Sequence, residues 1–165
     1  MSFSKTDLHS LAFNPFEKIN AGCLITAGTI DDFNTMTISW GFTGIMWTKD
    51  VFNMVIRPNR YTYEFAKKHD IFTVNFLSGD DAKKTLAYCG SHSGRDVDKC
   101  KETGLTPIEI DGGVTFSQAS LVFVCKKVYM KEMDIDAISP DCRKFLGSDP
   151  VHTEFIGEII GTYTA

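Results

Sequence analysis

The sequence predicts a mainly β domain in which antiparallel strands close into a barrel, with short helices inserted between them. Six segments read as strands and only three short ones as helices, and the two kinds do not alternate in the regular order of a doubly wound parallel sheet. The chain has 165 residues, the length of one domain with a substantial core, so residues 1–165 are expected to form a single unit. Its composition is 43% hydrophobic and includes 13 phenylalanines, which excludes a disordered chain and points to a ring-rich core.

Taken in order, residues up to Pro15 carry Leu8, Leu11 and Phe13 without a sustained period, as an arm packed on the body would. Gly22 to Ile30 reads as a strand, after which Asp31, Asp32 and Asn34 supply turn chemistry. A clear alternation follows. Thr35, Thr37, Ser39 and Gly41 fall on one side and Met36, Ile38, Trp40 and Phe42 on the other, the period of a half-buried strand. A planar heteroaromatic ligand needs walls of both kinds, hydroxyls and N–H groups for its polar edge and apolar groups for its faces. Trp40, Met46 and Trp47 supply such surface, although each taken singly reads as core packing.

Val51 to Phe65 is the stretch around which the chain is organised. Val51 to Ile56 suits a buried strand, which Arg57 and Pro58 end. Asn59 is placed to cap a helix whose first turn holds Arg60 and Thr62 and whose Tyr61 and Phe65 share a face. Unpaired N–H donors, the positive end of the helix dipole, two arginines and a threonine hydroxyl together suit a phosphate.

Ile71 to Leu77 reads as a further buried strand, and Ser78 with Asp81 as a capping box for a helix ending near Gly90. Asn75 within that strand either cross-links core backbone or faces a pocket. Ser91 to Lys99 concentrates polar chemistry, with Asp96 as the cap of a short helix and Arg95 paired to a nearby aspartate. Leu105 to Gly113 connects to a long strand, Ala119 to Met130, whose Lys126 and Lys127 mark an edge or rim. Residues 131–150 form an excursion from the sheet, and Phe155 to Thr164 is the last strand, with His152 just before it.

Several function classes are excluded. A formal net charge of -4 lacks the excess of lysine and arginine that a nucleic-acid partner requires. Cys23, Cys89, Cys100, Cys125 and Cys142 are scattered without a C-x-x-C pair, so neither a metal site nor a disulfide framework is expected, and reduced thiols fit the cytoplasm. No window approaches the length of a membrane span, and no membrane partner is expected. Neither G-x-G-x-x-G nor a P-loop is present, and the Ser, His and Asp residues of 91–98 lie too close in sequence to form a triad, so no catalytic side chain is assigned.

The succession NTMTISWG (34–41), VIRPNRYTYE (55–64), FTVNFL (72–77), SGRDVDK (93–99) and HTEFIGEI (152–159) resembles the flavin reductase-like, FMN-binding split-barrel family, with the flavoredoxin branch closest. The resemblance implies a split β-barrel homodimer with FMN near the subunit interface. It places Asn34, Met36, Thr37 and Ser39, with Trp40 beside them, against the isoalloxazine ring, and Arg57, Asn59, Arg60, Tyr61 and Thr62 around the ribityl phosphate. Asn75, Phe76 and Ser78 fall at a strand end beside the flavin, Arg95 on a loop near it, and His152 at the pocket mouth. The implied activity is an FMN-dependent reductase that takes electrons from NADH or NADPH and passes them to free flavin, a redox protein partner or another acceptor. The alternatives are a flavoredoxin-type electron carrier between proteins and a flavin-binding domain without turnover.

Overall fold

A computed structural model describes residues 3–165. The N-terminal arm contributes β1 (Ser4–Lys5) and α1 (Pro15–Ala21), a short helix started by Pro15 at its first position and by the Asn14 side chain, which accepts from the Phe16 and Glu17 N–H groups. Two hairpins follow: β2 (Cys23–Thr29) with β3 (Asp32–Ile38), then β4 (Gly41–Met46) with β5 (Lys49–Ile56). Next come α2 (Tyr61–Lys68), β6 (Ile71–Leu77), α3 (Ala82–Ser91) and α4 (Lys99–Thr103). The chain ends with the small hairpin of β7 (Pro107–Ile110) and β8 (Gly113–Phe116), the long β9 (Ala119–Glu132), α5 (Pro140–Arg143) and β10 (Thr153–Thr164).

The main sheet runs in the order β3-β2-β6-β9-β10-β5-β4, with β1 on β10, and every pairing is antiparallel. It curls around a core in which Phe52, Phe123 and Phe155 are fully enclosed, and Phe13 of the arm meets Phe76 and Phe123 edge to face at 5.3 and 5.4 Å. The arm therefore packs on the body through Leu8, Leu11 and Phe13, as expected. Asn75 is also enclosed. Its amide donates to the Leu24 carbonyl and to the Thr26 and Thr73 hydroxyls, and its carbonyl oxygen accepts from Thr115 at 2.7 Å. With its polar atoms satisfied between β2, β6 and β8, Asn75 cross-links the core and does not face the ligand cleft described below.

Several local expectations are corrected. The alternation over residues 35–42 is not one strand: the chain bends at Ser39 and Trp40, and β4 turns back along β5 through Trp47 and Thr48, both at positive φ (50° and 60°). A two-residue hairpin needs that handedness, and without an Asn-Gly or Asp-Gly pair it leaves no sequence signal. Trp40, Met46 and Trp47 are consequently exposed, not core. The β7–β8 hairpin does carry its signal, Asp111-Gly112, again with both residues at positive φ. Asn34 lies within β3, not in a turn. The caps differ as well: Asp98 rather than Asp96 starts α4, accepting from the Lys101 N–H, while neither Asn59 nor the Ser78–Asp81 pair caps its helix.

Lys127 marks no edge, because β9 lies between β6 and β10. Its ammonium group accepts the role of C-terminal cap for α2, donating to the carbonyls of Ala66, Lys67 and His69, each at 2.9 Å. That contact fixes α2 against the sheet at the end opposite the cleft. The closeness of the packing is sharpest at Gly157, in the register shift between β9 and β10, where an added Cβ would stand 2.5 Å from the Phe72 ring and 2.8 Å from Cys125 Cβ. Gly157→Ala is expected to lower stability by about 1–3 kcal/mol, measured by urea denaturation.

Candidate functional site

β3 is an edge strand, and that fact shapes the site. The Thr35 carbonyl accepts from the Lys99 ammonium at 2.8 Å, so it points away from β2. Antiparallel geometry then turns both backbone groups of Thr35, and likewise those of Thr37, toward the free edge. Their hydroxyls are used elsewhere. Thr35 donates to the Ile25 carbonyl and Thr37 to the Leu86 carbonyl at 2.6 Å, so the backbone edge, not a row of hydroxyls, is what β3 offers a ligand.

Along this edge run three contiguous cavities of about 560, 140 and 230 Å³. The middle one is walled by Asn34 and Met36 of β3, by Asn59, Arg60, Tyr61 and Thr62 at the start of α2, and by the end of α3 and the turn after it, Gly90 to Gly94. The next holds Met36, Thr37, Ser39, Trp40, Arg57, Arg60 and His152. The largest extends past Arg95, Asp96 and Lys99. The structure thus brings together twelve of the predicted site residues, namely those at 34, 36, 37, 39, 40, 57, 59–62, 95 and 152. It does not bring in Asn75, enclosed in the core, or Ser78, exposed in the turn after β6. Phe76 lines a separate apolar cavity of about 700 Å³ between α1 and α3.

The start of α2 leaves donors of the kind an anion takes. Arg60 occupies the N-cap position and makes no side-chain capping bond, so the Tyr61 and Thr62 N–H groups have no capping side chain. The Thr62 hydroxyl oxygen accepts from Asn34 Nδ2 at 2.7 Å, which leaves its own proton free to be donated. Gly94 makes this approach possible, since a Cβ there would fall 2.0 Å from Asn34 Oδ1. Arg95 pairs with Glu64, not with an aspartate, and its guanidinium lies 4.7 Å over the Tyr61 ring.

Arg57 behaves differently from Arg60. Its side chain is only 12% exposed, and its donors go to the carbonyls of Leu146 (2.7 Å) and Phe145 (3.1 Å), to Asp149 (2.7 Å) and to His152 Nε2 (3.2 Å). It anchors the 131–150 excursion and reaches the cleft only at its rim. His152 is buried and packs against Trp40, with ring centroids 5.4 Å apart. Because Nε2 accepts from Arg57, the neutral ring carries its proton on Nδ1. Burial, and then the adjacent Arg57 and Arg60 charges, hold the imidazole below its ordinary pKa of 6.5.

Two residues that sequence reasoning missed complete the site. Lys99 is buried, with its ammonium on the Thr35 and Cys89 carbonyls at 2.8 Å each, and burial lowers its pKa. A lone lysine after a cap carries no signal that it points inward. Asp149 comes from the excursion, whose irregular polar sequence has no pattern to read. The cysteines are free, and burial pushes Cys23 up to about 12 and Cys100 up to about 11. No helix among the described residues is long and apolar enough to cross a membrane.

A mainly antiparallel sheet with a few short helices and a cleft along its free edge is the architecture of a split β-barrel. Residues 20–165 match the model of the flavin reductase like domain, and the chain belongs to that family. Solved structures agree on the split-barrel fold. Flavoredoxin from Methanosarcina acetivorans is 23% identical, with a TM-score of 0.69 over 87% of this chain and 68% of that one. Flavoredoxin of Desulfovibrio vulgaris (Miyazaki F) is 19% identical, with a TM-score of 0.68 over 98% and 77%. The FMN-binding domain of a flavin reductases-like enzyme from Shewanella baltica OS155 is 17% identical, with a TM-score of 0.69 over 99% and 77%. No curated protein matches the sequence.

The depressed His152 pKa carries a sign. The unfolded chain binds the His152 proton more tightly than the folded one, so this contribution to stability is intact above about pH 6.5 and is lost as pH falls below it. The Tm of the wild type is expected to fall between about pH 7.5 and about pH 5.5, and His152→Gln, which keeps an acceptor for Arg57, to show a shallower fall in differential scanning fluorimetry.

Proposed function

We propose that the protein is an FMN-binding oxidoreductase of the flavin reductase type, which takes electrons from NADH or NADPH and passes them to free flavin or another acceptor. The observation that carries this reading is the placement, in one cleft, of an uncapped helix start with Arg60 at one end and the free backbone edge of β3 at the other. A phosphate suits the first and the polar edge of a planar ring suits the second.

In this reading Arg60, the Tyr61 and Thr62 N–H groups and the Thr62 hydroxyl hold the phosphate. The Thr37 N–H on the free strand edge donates to the ring, while Met36 and Trp40 cover its apolar surface. Asn34 and Gly94 keep Thr62 oriented. Bound there, FMN supplies the hydride-accepting ring, and no side-chain nucleophile is required. The chain's task is to hold one ring face and leave the other open to a nicotinamide. Lys99 fixes the β3 edge by its carbonyl contacts, and the neutral His152 ring backs Trp40.

The same reading includes a homodimer. Along β4 and the turn that follows it, at the other end of the sheet order, Phe42, Ile45 and Trp47 are 53%, 69% and 56% exposed, and Trp40 of the cleft lies just before that strand. An exposed apolar strand at a sheet edge is a surface to be covered, and a second copy of the chain would cover it beside the cleft. Unpaired thiols support a reducing, cytoplasmic setting.

Purified protein mixed with FMN and passed through gel filtration is expected to retain visible flavin absorption. Anaerobic addition of NADH or NADPH is then expected to bleach it. Persistent colour after both additions, with bleaching only by a reduced protein partner, would identify an electron carrier instead. Arg60→Ala is expected to raise the Kd for FMN about tenfold, the scale of one charge-assisted hydrogen bond, in a fluorescence titration. Light scattering is expected to report a dimer for the wild type and a monomer for Ile45→Arg, whose charge could not be buried at the contact.

A further inference from the structure

We propose that Asp149 is a counter-anion set beside the cleft on its cationic corner, which a phosphomonoester must displace, so that this residue sets how strongly the site favours a phosphorylated flavin over an unphosphorylated one. The inference rests on the flavin-binding reading given above and adds a residue that no motif points to.

Asp149 reaches the corner from outside it, at the end of the excursion between β9 and β10. Its carboxylate lies 2.7 Å from Arg57 Nη1, 3.4 Å from Arg60 Nη2 and 3.3 Å from Asn59 Nδ2. These are the side chains that surround the uncapped start of α2, so the carboxylate stands where the corner's positive charge converges. A phosphomonoester drawn to Arg60 and to the helix N–H groups meets this resident negative charge, and two anions on one cationic corner repel each other.

The contacts differ in strength in a way that makes local exchange feasible. Those to Arg60 and Asn59 are long, and the Arg60 and Asp149 side chains are 49% and 41% exposed, so water and an incoming anion compete for them readily. Arg57 is nearly enclosed and has other acceptors, the Phe145 and Leu146 carbonyls and His152 Nε2. When the carboxylate leaves, Arg57 keeps those partners and stays in place. Leu146, the buried residue of the excursion, keeps its seat, so the movement is confined to the few residues between it and His152.

The test compares FMN with riboflavin, which has the same ring and no phosphate, in the full chain and in Asp149→Asn, which keeps the size and hydrogen-bonding ability of the side chain. FMN affinity is expected to rise about tenfold in the variant while riboflavin affinity stays unchanged. Equal changes for the two flavins, or weaker FMN binding in the variant, would overturn the inference, the latter by showing that Asp149 serves only to orient the arginines. A second readout uses inorganic phosphate as the probe and does not depend on flavin. Hydrogen–deuterium exchange over residues 147–151 of the wild type is expected to rise on addition of phosphate, and unchanged or slower exchange would count against displacement. Binding of neither flavin by either protein would remove the flavin reading, whereas the phosphate experiment would still decide whether Asp149 is displaced.

Discussion

The site depends on where Arg57 spends its N–H donors. At the end of β5 it gathers the Phe145 and Leu146 carbonyls, Asp149 and His152 around one guanidinium, and in doing so it ties an irregular excursion of the chain to the barrel. The exposed Arg60–Asp149 contact is worth about 1 kcal/mol or less, whereas the nearly enclosed Arg57 holds two carbonyls and His152 in addition to Asp149. By that difference Arg57 is the fixed part of the corner and Arg60 the adjustable one. His152, Trp40 and the rim of the cleft take their positions from the first, and a ligand would meet the second.

The sheet supplies the other constraint. β9 and β10 pair over nearly their whole length at its centre, and the enclosed polar network around Asn75 pins β2, β6 and β8 to one another. With that interior fixed, β3 and β4 are left at the two ends of the sheet order, one presenting unpaired backbone and the other exposed apolar side chains. An unpaired edge normally invites another strand. Along β3 that hazard is met by the Lys99 ammonium, which occupies the Thr35 carbonyl, and by the packing of α2 and α3 on either side, so the remaining edge is open only to something small.

Much of this was legible in the sequence where one physical signal dominated. Val51 to Ile56, Ile71 to Leu77 and Ala119 to Met130 are apolar runs with no competing pattern, and each is a strand close to the expected limits. The cationic helix start at 57–62 is legible because a Pro-limited corner and a capped-looking helix follow one another closely in the chain, whereas Asn34 and Met36 enter the site through the family resemblance alone. Failures arose where the signal was absent or shared. Ser39 and Trp40 continue the alternation through the bend, so β3 and the start of β4 read as one strand, and Trp47 and Thr48 make a left-handed turn without glycine, which leaves the β4–β5 hairpin without a signal. Asn75 in an apolar strand has the same sequence appearance whether it meets a ligand or a core threonine. Lys127 looks in sequence like a marker of an edge or rim because sequence distance hides α2, whose last carbonyls its ammonium satisfies. Asp149 lies 89 residues from Arg60 in the chain, and nothing local announces that the two meet.

The missing cap of α2 follows from the same arrangement. Asn59 is of the right type and in nearly the right place to cap the helix, a contact worth about 1 kcal/mol, yet its amide is turned to Asp149 instead. Were Asn59 to cap, its carbonyl oxygen would fill the space over the first N–H groups and close the corner to any other acceptor. Leaving those groups free concentrates positive potential from the helix, Arg60 and Arg57 in one place, which without a ligand needs a counter-charge. A counter-ion drawn from solution would have to be ordered at each release of ligand. A carboxylate on a short tether is already there, and the exposed, lengthened contacts it makes with Arg60 and Asn59 keep the corner neutralised without holding it shut.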